Sequence, residues 1–292
     1  MIAYLPQLKK IGVSDDGKEA AARGKALQHS ALNMLFRECF SPAFGSARGI
    51  ILPGTSARGH VRLSLIVGDL KEMWRTFDLT ASARAHYPCA ICEVGRDEAY
   101  RTPMTARARS TARAIRYGSR FGYGIQSGSI AHQILGVDPY SSFFPDMLHC
   151  AELGLMRTIL GKIVGMLRKD RQSLSTFDQR MQRIPTFYGL RLPRYGASRS
   201  AAKHERGQPL RSIFGVLPFV IEGLVPSPVM KVVITFISHY SICRQLVISR
   251  TELAQLRDLG HRLIQQYVNI GSIRKGYESF VPCVSRLVFV YV

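Results

Sequence analysis

The sequence predicts an α/β fold that is mostly helical, on three observations. Val61, Leu63, Leu65 and Val67 alternate with a period of two, the mark of a half-buried strand. Residues 18 to 40 place Ala21, Ala26, Leu27, Ala31, Met34, Leu35 and Phe36 three and four apart with charges between, the mark of an amphipathic helix. From Pro145 onward the helical period dominates, so the C-terminal half is expected to be mainly α.

Taken in order, the first helix is followed by Gly45, Gly49, Pro53 and Gly54, which break the chain before the strand that runs from His60 and stops at Gly68-Asp69. Asp69 therefore stands where a strand runs out, a place where α/β enzymes set metal-binding carboxylates. Between Thr80 and Gly124 the texture changes to Ala, Arg, Ser, Thr and Gly, which predicts an insertion. Pro145 to Lys169 is the strongest helix, with Leu148, Leu155, Ile159, Ile163 and Met166 or Leu167 on the side expected to be buried. Further helices are predicted over about Glu205 to Leu224, Val229 to Leu246, and onward from Ser249, where Ser249 and Glu252 have the spacing of a capping box. The boundaries this implies are a first region over 1–79, an insertion over 80–145, a helical region over 146–271 and an aberrant tail over 272–292.

Charge narrows the function classes. Forty Lys and Arg against twenty Asp and Glu leave a formal charge of +20 over 292 residues, which predicts a polyanion as partner. The alternative is a basic surface that is merely solvated. Arg101, Arg107, Arg109, Arg113, Arg116 and Arg120 follow one another with no acidic residue among them, and Tyr117, Phe121 and Tyr123 are interleaved with the later ones. That mixture suits phosphate contacts with base or sugar stacking, and it equally suits a flexible basic loop. Six cysteines spread along the chain make no secreted disulfide framework, the N-terminus has no apolar leader core, and no stretch is apolar enough to span a membrane. A soluble intracellular protein without a membrane partner is expected.

Two constellations carry chemistry. Cys89 and Cys92 form a Cys-x-x-Cys knuckle after Pro88, which is half of a tetrahedral zinc site or a pair of buried thiols. His86, His149 and Cys150 are the nearest further donors by type. Asp146 opens the long helix with His149 three residues on, so the pair is either a helix cap beside a core histidine or a place for a divalent cation or a phosphate.

The order of these pieces resembles the Plavaka-like transposases, the Kyakuja/Dileera/Zisupton group related to the CACTA transposases. Tyr4-Leu5-Pro6 resembles the group's Trp-Leu-Pro segment, His29 its helical histidine, and Gly68-Asp69 with Glu72 its strand ending in Asp. The knuckle of Cys89 and Cys92 is similar to its Cys-Pro-x-Cys, and Pro145-Asp146-Met147-Leu148-His149 with Gly154 and Lys162 to its Pro-Asp-Leu-Leu-His helix. Asp178 and Arg180, then Pro185 to Arg191, then Lys203-His204-Glu205 resemble the later segments. The likeness runs from about residue 1 to about 271.

This resemblance implies a partial RNase H-like catalytic core with a helical insertion and a helical C-terminal half. It implies a nuclear DDE enzyme that cuts and joins DNA by phosphoryl transfer on two Mg²⁺ or Mn²⁺ ions, with zinc at the knuckle and DNA as partner. Asp69 matches the second catalytic carboxylate and Glu205 the third, with Asp146 and His149 supporting the site. Ala90 stands where the group usually has Pro, Lys203-His204 replaces Thr-Gly, and the late Pro-Lys-x-His segment has no counterpart. The group's first Asp falls upstream of Met1, so an inactive DNA-binding remnant is expected; a non-enzymatic zinc-containing nucleic-acid-binding module is the alternative. The oligomeric state is open.

Overall fold

The computed structural model describes residues 143–185 and 207–270 without a break, and besides these residues 27, 30, 31, 34, 50, 51, 54, 56, 58, 59, 66–68, 92, 93, 95, 107–110, 112, 113, 116, 140 and 192. These residues are mostly helical. The chain divides into two compact units, Met1–Ser82 with Arg109–Phe144 and Ala83–Ala108 with Pro145–Val292.

In the first unit, β1 (Ile50–Ile51) pairs antiparallel with β2 (Arg58–Gly59), Ile50 opposite Gly59 and Ile51 opposite Arg58. Gly54 turns the chain between them at φ 77°, a left-handed conformation that side chains with a Cβ resist. β3 (Ile66–Gly68) is hydrogen-bonded to β4 (Phe143–Pro145); the rest of the predicted strand from His60, and Asp69 after it, lie outside the described residues. Leu27, Ser30, Ala31 and Met34 are helical, as their period predicts. Leu27 and Met34 of this apolar stripe are exposed. The tail expected over 272–292 lies outside the described residues.

The second unit is built on helices. A π-helical stretch, π1 (Leu148–Met156), runs on into α1 (Arg157–Leu167). At their junction the backbone N–H of Arg157 reaches back five residues to the Glu152 carbonyl, which is the π spacing. Burial in π1 follows that period: Cys150 with Leu155, and Ala151 with Met156, are paired five apart on the inner side. The wider turn swings Leu148 outward, so this predicted core residue is 41% exposed, while Leu155, Ile159, Ile163 and Leu167 are buried as predicted.

After α1 the chain turns at Asp170, whose carboxylate accepts the backbone N–H groups of Gln172 at 3.1 Å and Ser173 at 3.0 Å, together with the Ser173 hydroxyl. It thereby caps α2 (Arg171–Arg183), a helix the sequence reading did not place. The Ser173 side chain first, then the two backbone amides, hold the Asp170 carboxyl below its ordinary pKa. Phe177 and Met181 bury one side of α2.

The remaining helices match the predicted blocks: α3 (Gly207–Ile221), α4 (Ser227–Cys243) and α5 (Arg250–Asn269). Gly223, at φ 70°, ends the turn after α3, and the Leu224 N–H closes on the Ile221 carbonyl at 2.9 Å. The capping box is present, with the Ser249 N–H donating to Glu252 Oε2 at 2.8 Å and the Glu252 N–H to Ser249 Oγ at 3.2 Å. The core gathers the inner faces of π1 and α1 to α5, including Leu160, Phe177, Phe214, Phe236 and Leu263. Phe214 meets Phe236 edge-on at 5.4 Å, and Phe236 stacks on Tyr240 at 5.9 Å. Among the described residues no helix is long and apolar enough to cross a membrane.

Two outcomes are expected. Phe236→Ala, which empties a fully buried site and removes both ring contacts, lowers the unfolding free energy in a urea titration by about 3–5 kcal/mol. Asp170→Ala lowers the thermal midpoint at neutral pH. Because the folded carboxyl titrates below its unfolded value, the cap's contribution is fully present above the ordinary carboxylate pKa and fades as pH falls through the lowered one. The gap between wild type and variant should therefore close on acidification; a gap independent of pH would refute the cap.

Candidate functional site

The long helix begins as a carboxylate cap. Asp146 Oδ1 accepts the His149 backbone N–H at 2.8 Å, and the His149 ring Nδ1 lies 3.0 Å from Asp146 Oδ2. One side chain thus satisfies a first-turn amide and fixes the imidazole three residues on. His149 is about half exposed, so it is not a core histidine. Both carboxylate oxygens of Asp146 face this histidine, and among the described residues no group of three His, Cys, Asp or Glu side chains comes together to hold a metal ion. The geometry of this pair is that of a helix cap.

One turn deeper, Glu152 is 2% exposed. Its Oε1 accepts the Tyr240 hydroxyl at 2.6 Å and pairs with Arg211 Nε at 3.1 Å, which ties π1 to α4 and α3. Oε2 is buried and has no hydrogen-bond partner among the described residues. Burial first, then the bond to Glu152, push the Tyr240 hydroxyl well above its ordinary pKa, so it stays protonated and donates. The adjacent His239 is fully buried, and burial pulls its imidazole down to about 4. It is therefore neutral at physiological pH. Its Nδ1 lies 3.7 Å from Cys243 Sγ, one helical turn on, and burial pushes that thiol up to about 12. Nε2 of His239 has no partner among the described residues. Neither Glu152 nor His239 was singled out from the sequence; a lone Glu within an apolar helical stripe is the signal that could have found the first.

The basic stretch divides. Arg107 and Arg116 are exposed, whereas Arg113 is half-buried with its Nε 3.3 Å from Ser110 Oγ. Ser110 also accepts the Arg113 backbone N–H and begins a helical turn that includes Ala112, Arg113 and Arg116. Arg109 is buried, with its guanidinium over the Tyr140 ring at 5.9 Å, so its charge faces an aromatic ring rather than solvent. Arg101 and Arg120 lie outside the described residues.

Cys92 is buried within the apolar core, bridges antiparallel to Ala108, and is not in a disulfide. Cys89, Asp69 and Glu205 lie outside the described residues. Among the other motif positions, the Arg180 guanidinium donates to the Val220 and Glu222 carbonyls at 3.0 and 2.6 Å, where α3 ends. Lys162 lies over the Tyr267 ring at 5.5 Å, and partial burial lowers its pKa.

No known family model matches this chain, and no curated protein matches it.

His239 makes a pH signature. Its folded pKa, about 4, is below the unfolded value near 6.5, so the neutral ring's contribution is full above 6.5 and is lost as pH falls toward 4. The expected loss is roughly 3 kcal/mol over that window, measured by urea unfolding at a series of pH values. In His239→Gln that slope should flatten. Tyr240→Phe removes one of the two donors to a buried carboxylate and should cost about 1–3 kcal/mol at neutral pH.

Proposed function

We propose that this protein binds DNA and descends from a DDE transposase of the Plavaka-like group. Charge carries the reading. The chain holds a formal +20, and the corner between α1 and α2 sets Arg168, Lys169 and Arg171 at the surface within four residues, with Asp170 turned to its own helix. Exposed guanidinium and ammonium groups in that density release counterions when they meet phosphates. The transposase descent rests on the collinear motifs. Gly68, the residue before Asp69, lies in β3, and the resemblance gives Asp69 the role of a metal-binding carboxylate. Asp146 heads the π1–α1 helix, as Pro-Asp-Leu-Leu-His does in that group. An RNase H-like core with Asp69 and Glu205 as metal ligands, and a nuclear location, belong to the same proposal. Asp146 acts in it as the cap that orients His149, and the described residues provide no complete divalent-cation site through which a step could run.

The test is fluorescence anisotropy with duplex DNA over a range of salt. Binding should weaken steeply, by about 0.9 in log K per phosphate contact for each decade of salt. Replacing Arg168, Lys169 and Arg171 by Gln should make the slope shallower by about 2–3. Binding that ignores salt, or no binding at low salt, would overturn the reading. Adding Mg²⁺ or Mn²⁺ and resolving the strands on a denaturing gel separates its two forms. Nicking that disappears in Asp69→Asn and Glu205→Gln identifies a working nuclease, and intact strands identify a DNA-binding remnant.

A further inference from the structure

The helices α4 and α5 form a hairpin whose connection is held from both sides and yet turns its apolar residues outward. On the α4 side, the N–H groups of Arg244 and Gln245 close on the carbonyls of Tyr240 and Ile242, each at 3.1 Å. On the α5 side, the Ser249–Glu252 capping box fixes the helix start. Between them Ile248 packs down onto Ile242, Cys243, Leu256 and Leu259. The two residues before it do the reverse: Leu246 is 103% exposed and Val247 is 84% exposed. Adjacent aliphatic side chains wholly in water at the tip of an ordered hairpin are an unsolved apolar contact. Exposed Arg244 and Arg250 flank them.

We infer that this tip is a wedge for duplex DNA, in which Leu246 and Val247 insert at a base step while Arg244 and Arg250 contact the phosphates on either side. The inference rests on the DNA-binding reading above and specifies how the duplex is engaged. Size selects the occupant. A stable protein partner needs about 1,000 Å² or more of complementary surface, and a membrane-surface element needs a long apolar helical face. Two aliphatic side chains supply neither. One or two such side chains are what architectural DNA-binding proteins insert to unstack a step and kink the helix. The flanking charge is of the right sign, since Arg244 and Arg250 stand within the overall +20 of the chain. The capping box orders the loop before binding, so little entropy opposes insertion.

The experiment uses the full chain and a duplex carrying 2-aminopurine at a central TA step, a step that unstacks easily. Binding of the unchanged protein should raise the 2-aminopurine fluorescence. The doubly substituted Leu246→Ala, Val247→Ala protein keeps its core, because neither side chain is buried, and far-UV circular dichroism checks this. It should bind with the same salt slope, roughly three- to tenfold more weakly, and without the fluorescence rise. Binding by the unchanged protein without a rise, or an equal rise with the variant, overturns the wedge and leaves DNA binding standing. No binding by either protein overturns both readings. Anionic phosphatidylserine vesicles are the control: binding to them that the variant loses, with DNA binding unchanged, assigns the tip to a membrane surface and overturns the proposal.

Discussion

A carboxylate removed from water organises the helical unit. Glu152 sits almost wholly inside the protein, and transferring such a charge out of water costs several kcal/mol unless polar partners meet it. Two do, the Tyr240 hydroxyl and the Arg211 guanidinium, one from α4 and the other from α3. Because hydrogen bonds tolerate only tenths of an ångström, the three elements that supply them cannot slide past each other without leaving the charge uncompensated. Tyr240 extends the constraint into the apolar core by stacking on Phe236, which meets Phe214 edge-on. Polar registration and apolar packing are thus joined through one side chain.

Helix ends are treated with similar economy. Asp146, Asp170 and the Ser249–Glu252 pair each supply acceptors to first-turn amides, and Arg180 supplies donors to the carbonyls where α3 stops. Carboxylates at N-termini and a guanidinium at a C-terminus also follow the sign of the helix dipole. Two positions that the transposase resemblance marks therefore have a structural role here: Asp146 orients His149, and Arg180 joins α2 to α3. These roles and an inherited functional one are compatible, since a site must be held by the elements that carry it.

The cationic surplus is divided between interior and surface. Arg109 is enclosed against Tyr140, whereas Arg211 is exposed and pairs with a buried acid. Arg107, Arg116, Arg168, Lys169 and Arg171, with Arg244 and Arg250 at the hairpin tip, remain at the surface. Proposed DNA binding draws on this second set. Its electrostatic part is independent of sequence. In the proposed complex the apolar tip adds a contact sensitive to the deformability of a base step.

What the sequence by itself determined is the local part. The apolar face of α1, the approximate spans of α3, α4 and α5 and the capping box at Ser249 were legible because backbone hydrogen bonds and side-chain period act within a turn or two. Ile66–Gly68 of β3 fall at the end of the alternating stretch from the same local cause. α2 escaped because its buried residues are few, Phe177 and Met181 among polar neighbours, although Asp170 with Ser173 is a capping signal in plain sight. Tertiary structure alone decided the rest. The π register of Leu148–Met156 turned Leu148 out, and the folding of α3 and α4 against it brought Arg211 and Tyr240, the latter 88 residues away, onto Glu152. Neither follows from periodicity, because a buried charge selects its partners by position in space, and that position exists only once the helices have packed.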